Sequence, residues 1–367
     1  MKKIFFALAV VAALAACSKS EATYEQDLEI NFAPVAANRT KAMLSGTTFP
    51  DEQFNVFAWY KPIEAGSDIA TWQASNTYQQ YYIQEKPFVQ KKNDGGTSTG
   101  LWGGVHAYYW PKVGSLIFAG YYPTSIEGKV EYTFTNTVNK MTISDYTPTP
   151  NMVANGSSNH TEDLMYFNMT PTSYGSNSQS TVGKVGNNVD VVFRHALSWL
   201  NVVLTKGINT PDNATIIVNS VKFTSILPTG DAVVNNSPVA SIGETDEIVW
   251  TAEGTKADVE VCPDDNSETT DEQENQVTIV KNNTTPLDKQ PILIPQTMYG
   301  KNLVVNYTIK STDGMSFTEE KTIPLTTGSD SWKPAKKYTY TITISTTEIL
   351  VDPKVTDWTP ENIAVPI

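Results

Sequence analysis

The chain has 367 residues, of which 40% are hydrophobic and 18% charged, and its formal net charge is −13 at pH 7. The length suits two domains of ordinary size, and the apolar content is enough to build cores. A chain this acidic, with no basic cluster to offset the charge, repels nucleic acid and anionic headgroups, so nucleic acid is not an expected partner.

The first residues read as an export signal. Lys2 and Lys3 form a positive start, residues 4–14 are apolar but too short to span a bilayer, and Leu14-Ala15-Ala16-Cys17 follows. Small residues leading to one cysteine look like a bacterial lipoprotein signal (residues 1–17), with Cys17 the lipidated residue. Such acylation tethers the chain to the outer membrane, because more than one acyl chain gives stable attachment. Removing the signal takes the net charge to −15, since it carries Lys2 and Lys3 and no acids. Cys262 is then the remaining cysteine, so the mature chain makes no intramolecular disulfide. It stands in Val259-Glu260-Val261-Cys262-Pro263 and is expected as a buried small apolar residue. No later segment approaches the roughly 20 apolar residues that a membrane span needs.

Beyond Cys17 the apolar period is two. Leu28, Ile30 and Phe32 alternate with polar residues and predict a short amphipathic strand. Arg39-Thr40-Lys41 follows, between small and polar flanks that are accessible to proteases. Tyr78, Tyr81, Tyr82, Trp102, Tyr108, Tyr109 and Trp110 are expected to line a core and groove, with glycan stacking as the alternative use. Asn93-Asp94-Gly95-Gly96 marks a turn. Residues 173–180 and 186–188, rich in Gly, Ser and Asn, read as a linker and carry the expected domain boundary. After it, Val189, Val191 and Phe193 have the opposite parity to Leu200, Val202 and Leu204, which predicts a bulge near residues 195–198.

Further along, Pro228-Thr229-Gly230-Asp231 and Thr312-Asp313-Gly314 mark turns, and the acidic residues 264–272 read as a solvated hairpin tip without calcium-loop spacing. Leu303, Val305, Tyr307 and Ile309 predict one strand, and Tyr338, Tyr340, Ile342 and Ile344 another. Ile349 and Val351 continue a β-run. Ile363, Val365 and Ile367 alternate again, and Pro353 and Pro366 each require an edge or a break. Many short strands separated by turns predict an all-β chain of β-sandwiches.

No catalytic, metal or cofactor site is expected. His106, His160 and His195 have no ligand partner at metal spacing, and there is no phosphate loop, nucleophile elbow or zinc-protease motif. His195 is expected to be packed and hydrogen-bonded.

Several strings, in this order, resemble the fimbrillin family of type V pilus subunits. They are Phe57-Ala58-Trp59-Tyr60; Tyr109-Trp110-Pro111 with Leu116-Ile117-Phe118-Ala119-Gly120-Tyr121-Tyr122-Pro123; and Glu162-Asp163-Leu164-Met165-Tyr166. Then come Phe193-Arg194-His195-Ala196-Leu197-Ser198, Ile292-Leu293-Ile294-Pro295-Gln296, Trp332-Lys333-Pro334 with Tyr338-Thr339-Tyr340-Thr341-Ile342, and Val355-Thr356-Asp357-Trp358. The resemblance covers nearly the whole mature chain.

The resemblance implies two transthyretin-like β-sandwich domains in tandem, at residues 40–180 and 189–345. It implies a prosegment (18–39) whose first strand, carrying Leu28, Ile30 and Phe32, is removed by an Arg- or Lys-specific surface protease. Arg39 is the first choice for the cut and Lys41 the second; the plain alternative is an unprocessed loop. The opened groove then accepts the C-terminal strand of another pilus subunit. The C-terminal tail (346–367) is the candidate donor, with Ile349, Val351, Ile363, Val365 and Ile367, unless it folds back on its own domain. The implied function is a structural subunit of a surface pilus that supports adhesion to a host glycan or protein. The alternatives are a tip, minor or anchor subunit that keeps its lipid, and a stationary glycan-binding surface lipoprotein.

Overall fold

The structure, a computed structural model, describes residues 29–36, 53–62, 80–111, 114–134, 139–148, 163–168, 188–208, 210–236, 248–262, 276–279, 284–287, 289–311, 313–325, 331–346 and 349–357. Within them the protein is all-β, with a single 3-10 turn at Thr124–Ile126.

One sheet closes on itself. Its members are β1 (Asn31–Ala36), β2 (Phe54–Lys61), β3 (Gln80–Lys92), β4 (Ser98–Gly104), β5 (Ser115–Tyr122), β8 (Met165–Asn168) and β9 (Val189–His195), ordered β1-β4-β3-β2-β5-β8-β9. β3 and β4 are joined by the predicted turn, where the Asn93 carboxamide accepts from Gly95 and Thr97 N–H, and Gly96 takes a φ of +77°. The closed sheet encloses Phe32, Phe54, Val56, Phe88, Trp102, Phe118, Phe167 and Phe193.

β2 and β5 are buried on both faces, which explains why residues 115–122 read as an almost unbroken apolar run. Leu116 and Phe118 face into the closed sheet, whereas Ile117, Ala119 and Tyr121 face outward. That outer face is covered by a second sheet of β6 (Val130–Phe134), β7 (Asn139–Tyr146), β12 (Thr229–Asn236) and β13 (Ile248–Glu253). Tyr132, Met141, Ala232, Val234 and Ile248 fill the space between.

The third core lies between two further sheets. One holds β10 (Ser198–Lys206), β16 (Thr284–Pro286), β17 (Ile292–Leu293), β20 (Lys336–Ile344) and β21 (Ile349–Asp357). The other holds β11 (Thr215–Ile226), β14 (Ala257–Cys262), β15 (Val277–Ile279), β18 (Asn302–Lys310) and β19 (Ser316–Pro324). Leu303, Val305 and Tyr307 meet Tyr338, Tyr340 and Ile342 across it, on the parities that the alternation predicts. Cys262 is buried in this core.

The parity change after residue 193 is not a bulge within one strand. β9 ends at His195, Ala196 and Leu197 cross over, and β10 begins in a different sheet. Likewise Leu227 and Pro228 carry the chain from β11 to β12 in another sheet rather than closing a hairpin. Sheet pairing also crosses the boundary read in the linker at residues 173–188. β8 and β9, on either side of it, are hydrogen-bonded neighbours, and β7 pairs with β12. Segment 40–180 therefore completes its closed sheet with β1 from before it and β9 from after it. Residues 173–187 and 264–272 lie outside the described residues.

Candidate functional site

The predicted first strand lies at the seam of the closed sheet. β1 runs parallel to β9 from Phe32↔Val189 to Ala36↔Phe193, and antiparallel to β4 through Asn31↔Gly103 and Phe32↔Trp102. Ile30 and Phe32 are fully buried. The Phe32 ring stands edge-on to Phe54, Phe88 and Phe118, with centroids at 5.8, 5.0 and 5.2 Å. Each such pair adds about 0.5–1.5 kcal/mol beyond area burial, so this one side chain organises the core. Without β1, the closed sheet would have two open edges, on β4 and β9, flanking an aromatic cavity. Leu28, Arg39, Lys41 and Cys17 lie outside the described residues.

At the other end of the chain, β21 pairs antiparallel with β20 and forms the edge of its sheet, with Ile349↔Ile344, Val351↔Ile342 and Pro353↔Tyr340. Ile349 and Val351 pack on the third core; Leu350 on the opposite face is exposed, as is Val355 further along the core-side face. An edge is where Pro353, which lacks a donor, is tolerated. Ile363, Val365 and Ile367 lie outside the described residues.

Residues in the strings that carry the resemblance make several polar contacts. Asp163 meets His195, Oδ2 to Nδ1, at 2.5 Å. Gln296 accepts from Leu227 N–H and donates to the Leu227 carbonyl, both at 3.0 Å. Ser198 Oγ donates to the Lys333 carbonyl at 2.8 Å, and Trp332 Nε1 donates to the Tyr340 hydroxyl at 2.8 Å. Burial pushes the Tyr340 hydroxyl up to about 12.

Sequence reading missed one polar network. Tyr121 donates to Glu85 Oε1 at 2.5 Å and accepts from Asn55 Nδ2 at 2.7 Å. Burial, and then the bond to Glu85, raise the Tyr121 hydroxyl well above its ordinary range. Glu85 carries no local signal for this role, since it sits in a polar stretch of β3 far from its partner in sequence.

Trp59, Trp102 and Trp110 do not build an exposed stacking platform. Trp102 and Trp110 are buried, and Trp59 is partly buried with its ring 4.4 Å from Tyr81. His106 is exposed, and His160 lies outside the described residues. Asp145, Asp231 and Glu253 bring three carboxylates within 4.8 Å of one another, all exposed. No helix among the described residues is long and apolar enough to cross a membrane.

Comparison with known proteins agrees with this architecture. A family model described as fimbrillin-like matches residues 40–358. A fimbrial protein from Bacteroides vulgatus superimposes with a TM-score of 0.57 at 18% identity, covering 90% of this chain and 99% of that one. The tip fimbrial protein Mfa3 from Porphyromonas gingivalis, crystallised with a C-terminal truncation, matches with a TM-score of 0.39 at 9% identity over 90% of this chain and all of its own. No curated protein sequence matches. By the match over residues 40–358, the chain belongs to the fimbrillin-like family.

Proposed function

We propose that the protein is a structural subunit of a surface pilus, assembled by protease-triggered strand exchange and supporting adhesion. The observation that carries this reading is Phe32, fully buried among three edge-on rings, in a strand followed closely by the basic residues Arg39 and Lys41. Cutting after Arg39, or else Lys41, by a basic-specific surface protease separates this strand from the body it completes. An unpaired edge beside an apolar groove is costly in water, and that cost drives uptake of a replacement strand.

The replacement we favour is the C-terminal tail of another copy. Ile30, Phe32 and Pro34 share their spacing with Ile349, Val351 and Pro353. Laid in the direction of β1, segment 349–357 puts Ile349 in the Ile30 pocket, Val351 in the Phe32 pocket and Pro353 at Pro34. Val351 fills less of the ring cage than Phe32 does, and Ile363, Val365 and Ile367 supply further apolar side chains at the same period. In this reading the precursor is an outer-membrane lipoprotein held by acylated Cys17, and the body is two transthyretin-like sandwiches in tandem. Its partners are other pilus subunits, the protease, and a host glycan or protein.

A second reading is a tip, minor or anchor subunit that keeps its lipid. The pairing of β21 with its own β20 favours it, because a tail so engaged donates nothing. The intact mass of the native surface protein tests both. A form that starts at Thr40, lacks lipid and runs as ladders in unboiled gels is expected. A monomer that retains acylated Cys17 and resists arginine-specific cleavage rejects the polymerising subunit.

A further inference from the structure

The N-terminal end of β1 is held by a strap outside the strand ladder. Lys91 on β3 reaches across β4 and pairs with Glu29, Nζ to Oε1, at 2.5 Å. Its path crosses Gly103, where a Cβ would stand 2.1 Å from Lys91 Cε and 2.9 Å from Nζ. A residue without a side chain is what leaves that path open. Glu29 is also bridged to Tyr109, and Ile30 N–H donates to the Tyr108 carbonyl at 2.7 Å. The segment that receives them is fixed in turn. Tyr82 donates its hydroxyl to the Tyr109 carbonyl, and the Tyr108 ring stacks on Phe88 at 5.8 Å. The opposite end of β1, at Val35 and Ala36, pairs with Val192 and Phe193 just short of Arg39.

We propose that Glu29, Lys91 and the backbone at Tyr108 and Tyr109 form a latch that retains β1 after the chain is cut at residues 39–41. This rests on the strand-exchange reading above. The cut releases first the end paired with Val192 and Phe193. An incoming strand pairs there while the old strand is still held at Glu29, and exchange finishes when the latch opens. The aromatic groove is then never presented whole to water. The latch is tunable by salt, because Lys91 and Glu29 are 33% and 30% exposed and ions reach the pair.

The test uses the full mature chain with a sequence-specific protease site placed at residues 39–41 and a thiol-linked dye on unlipidated Cys17. Buried Cys262 is left unlabelled. Loss of the dyed fragment from nicked protein is timed by gel filtration in urea well short of unfolding. Lys91→Met and Gly103→Ala, the second of which alters no charge, each release the fragment about twofold to fivefold faster than wild type, the scale of a partly exposed ion pair. Lys92→Met releases at the wild-type rate. Raising NaCl speeds release from wild type and leaves Lys91→Met unchanged. Equal rates in all chains overturn the latch while upholding strand removal. A fragment that leaves none of the nicked chains overturns strand removal and the latch together.

Discussion

Asp163 and His195 face each other at 2.5 Å, and each side chain is only 3% exposed. They lie where the chain leaves the closed sheet, beside the bond from Ala196 N–H to the Leu164 carbonyl at 2.8 Å. Trp250 reaches the same point from β13, donating Nε1–H to the Ala196 carbonyl at 2.7 Å. One polar pair and one indole thus fix the exit of the closed sheet against the sheet that covers it.

His195→Leu leaves a buried carboxylate without its main partner, and breaking a buried pair costs about 3–5 kcal/mol. The double variant Asp163→Leu with His195→Leu should recover much of that loss, since no polar group is then left buried without its partner. Urea unfolding at pH 7 of the four chains in the cycle measures this. Additive losses would show that the pair is not coupled.

Phe32→Ala removes the ring at the centre of the closed sheet, and large-to-small changes of this kind cost about 3–5 kcal/mol. Hydrogen exchange should quicken in β4 and β9, which flank β1, and stay unchanged in β11 and β18. Uniform quickening throughout would mean that the loss is global and that β1 has no local role.

Burial lowers Lys61 from its ordinary 10.5 to about 8. Below pH 8 it is charged in both folded and unfolded chains, and the folded chain carries the full penalty. Between pH 8 and 10.5 the folded chain sheds its proton first, so the penalty shrinks; above 10.5 it is gone. Lys61→Met should therefore raise the unfolding temperature most near pH 7, with a gain that fades between pH 8 and 10.5. A gain independent of pH would reject charge burial as its cause.

Deleting residues 346–367 removes β21 and everything after it. If the tail is the donor strand, as proposed above, the shortened chain keeps its groove but has no strand to give. Mixed with processed full-length protein, it should shorten the ladders in proportion to its share, because each copy ends a chain. Ladders of unchanged length would place the donor strand elsewhere.

The sequence by itself determined the β class, the strand parities and the identity of the buried faces. Leu303, Val305, Tyr307, Tyr338, Tyr340 and Ile342 lie inward as their alternation requires, because a strand shows its period directly in neighbouring residues. It also marked the strand bearing Ile30 and Phe32. Tertiary structure alone decided the pairing. Nothing local tells β1 that its neighbours are β4 and β9, since those contacts join residues far apart in sequence and depend on which edges remain open. The same holds for Glu85 beneath Tyr121, for Lys91 crossing Gly103 to Glu29, and for the parity change after Phe193. That last feature looked like a bulge because a strand that changes sheets and a strand that slips by one residue leave the same trace in the sequence.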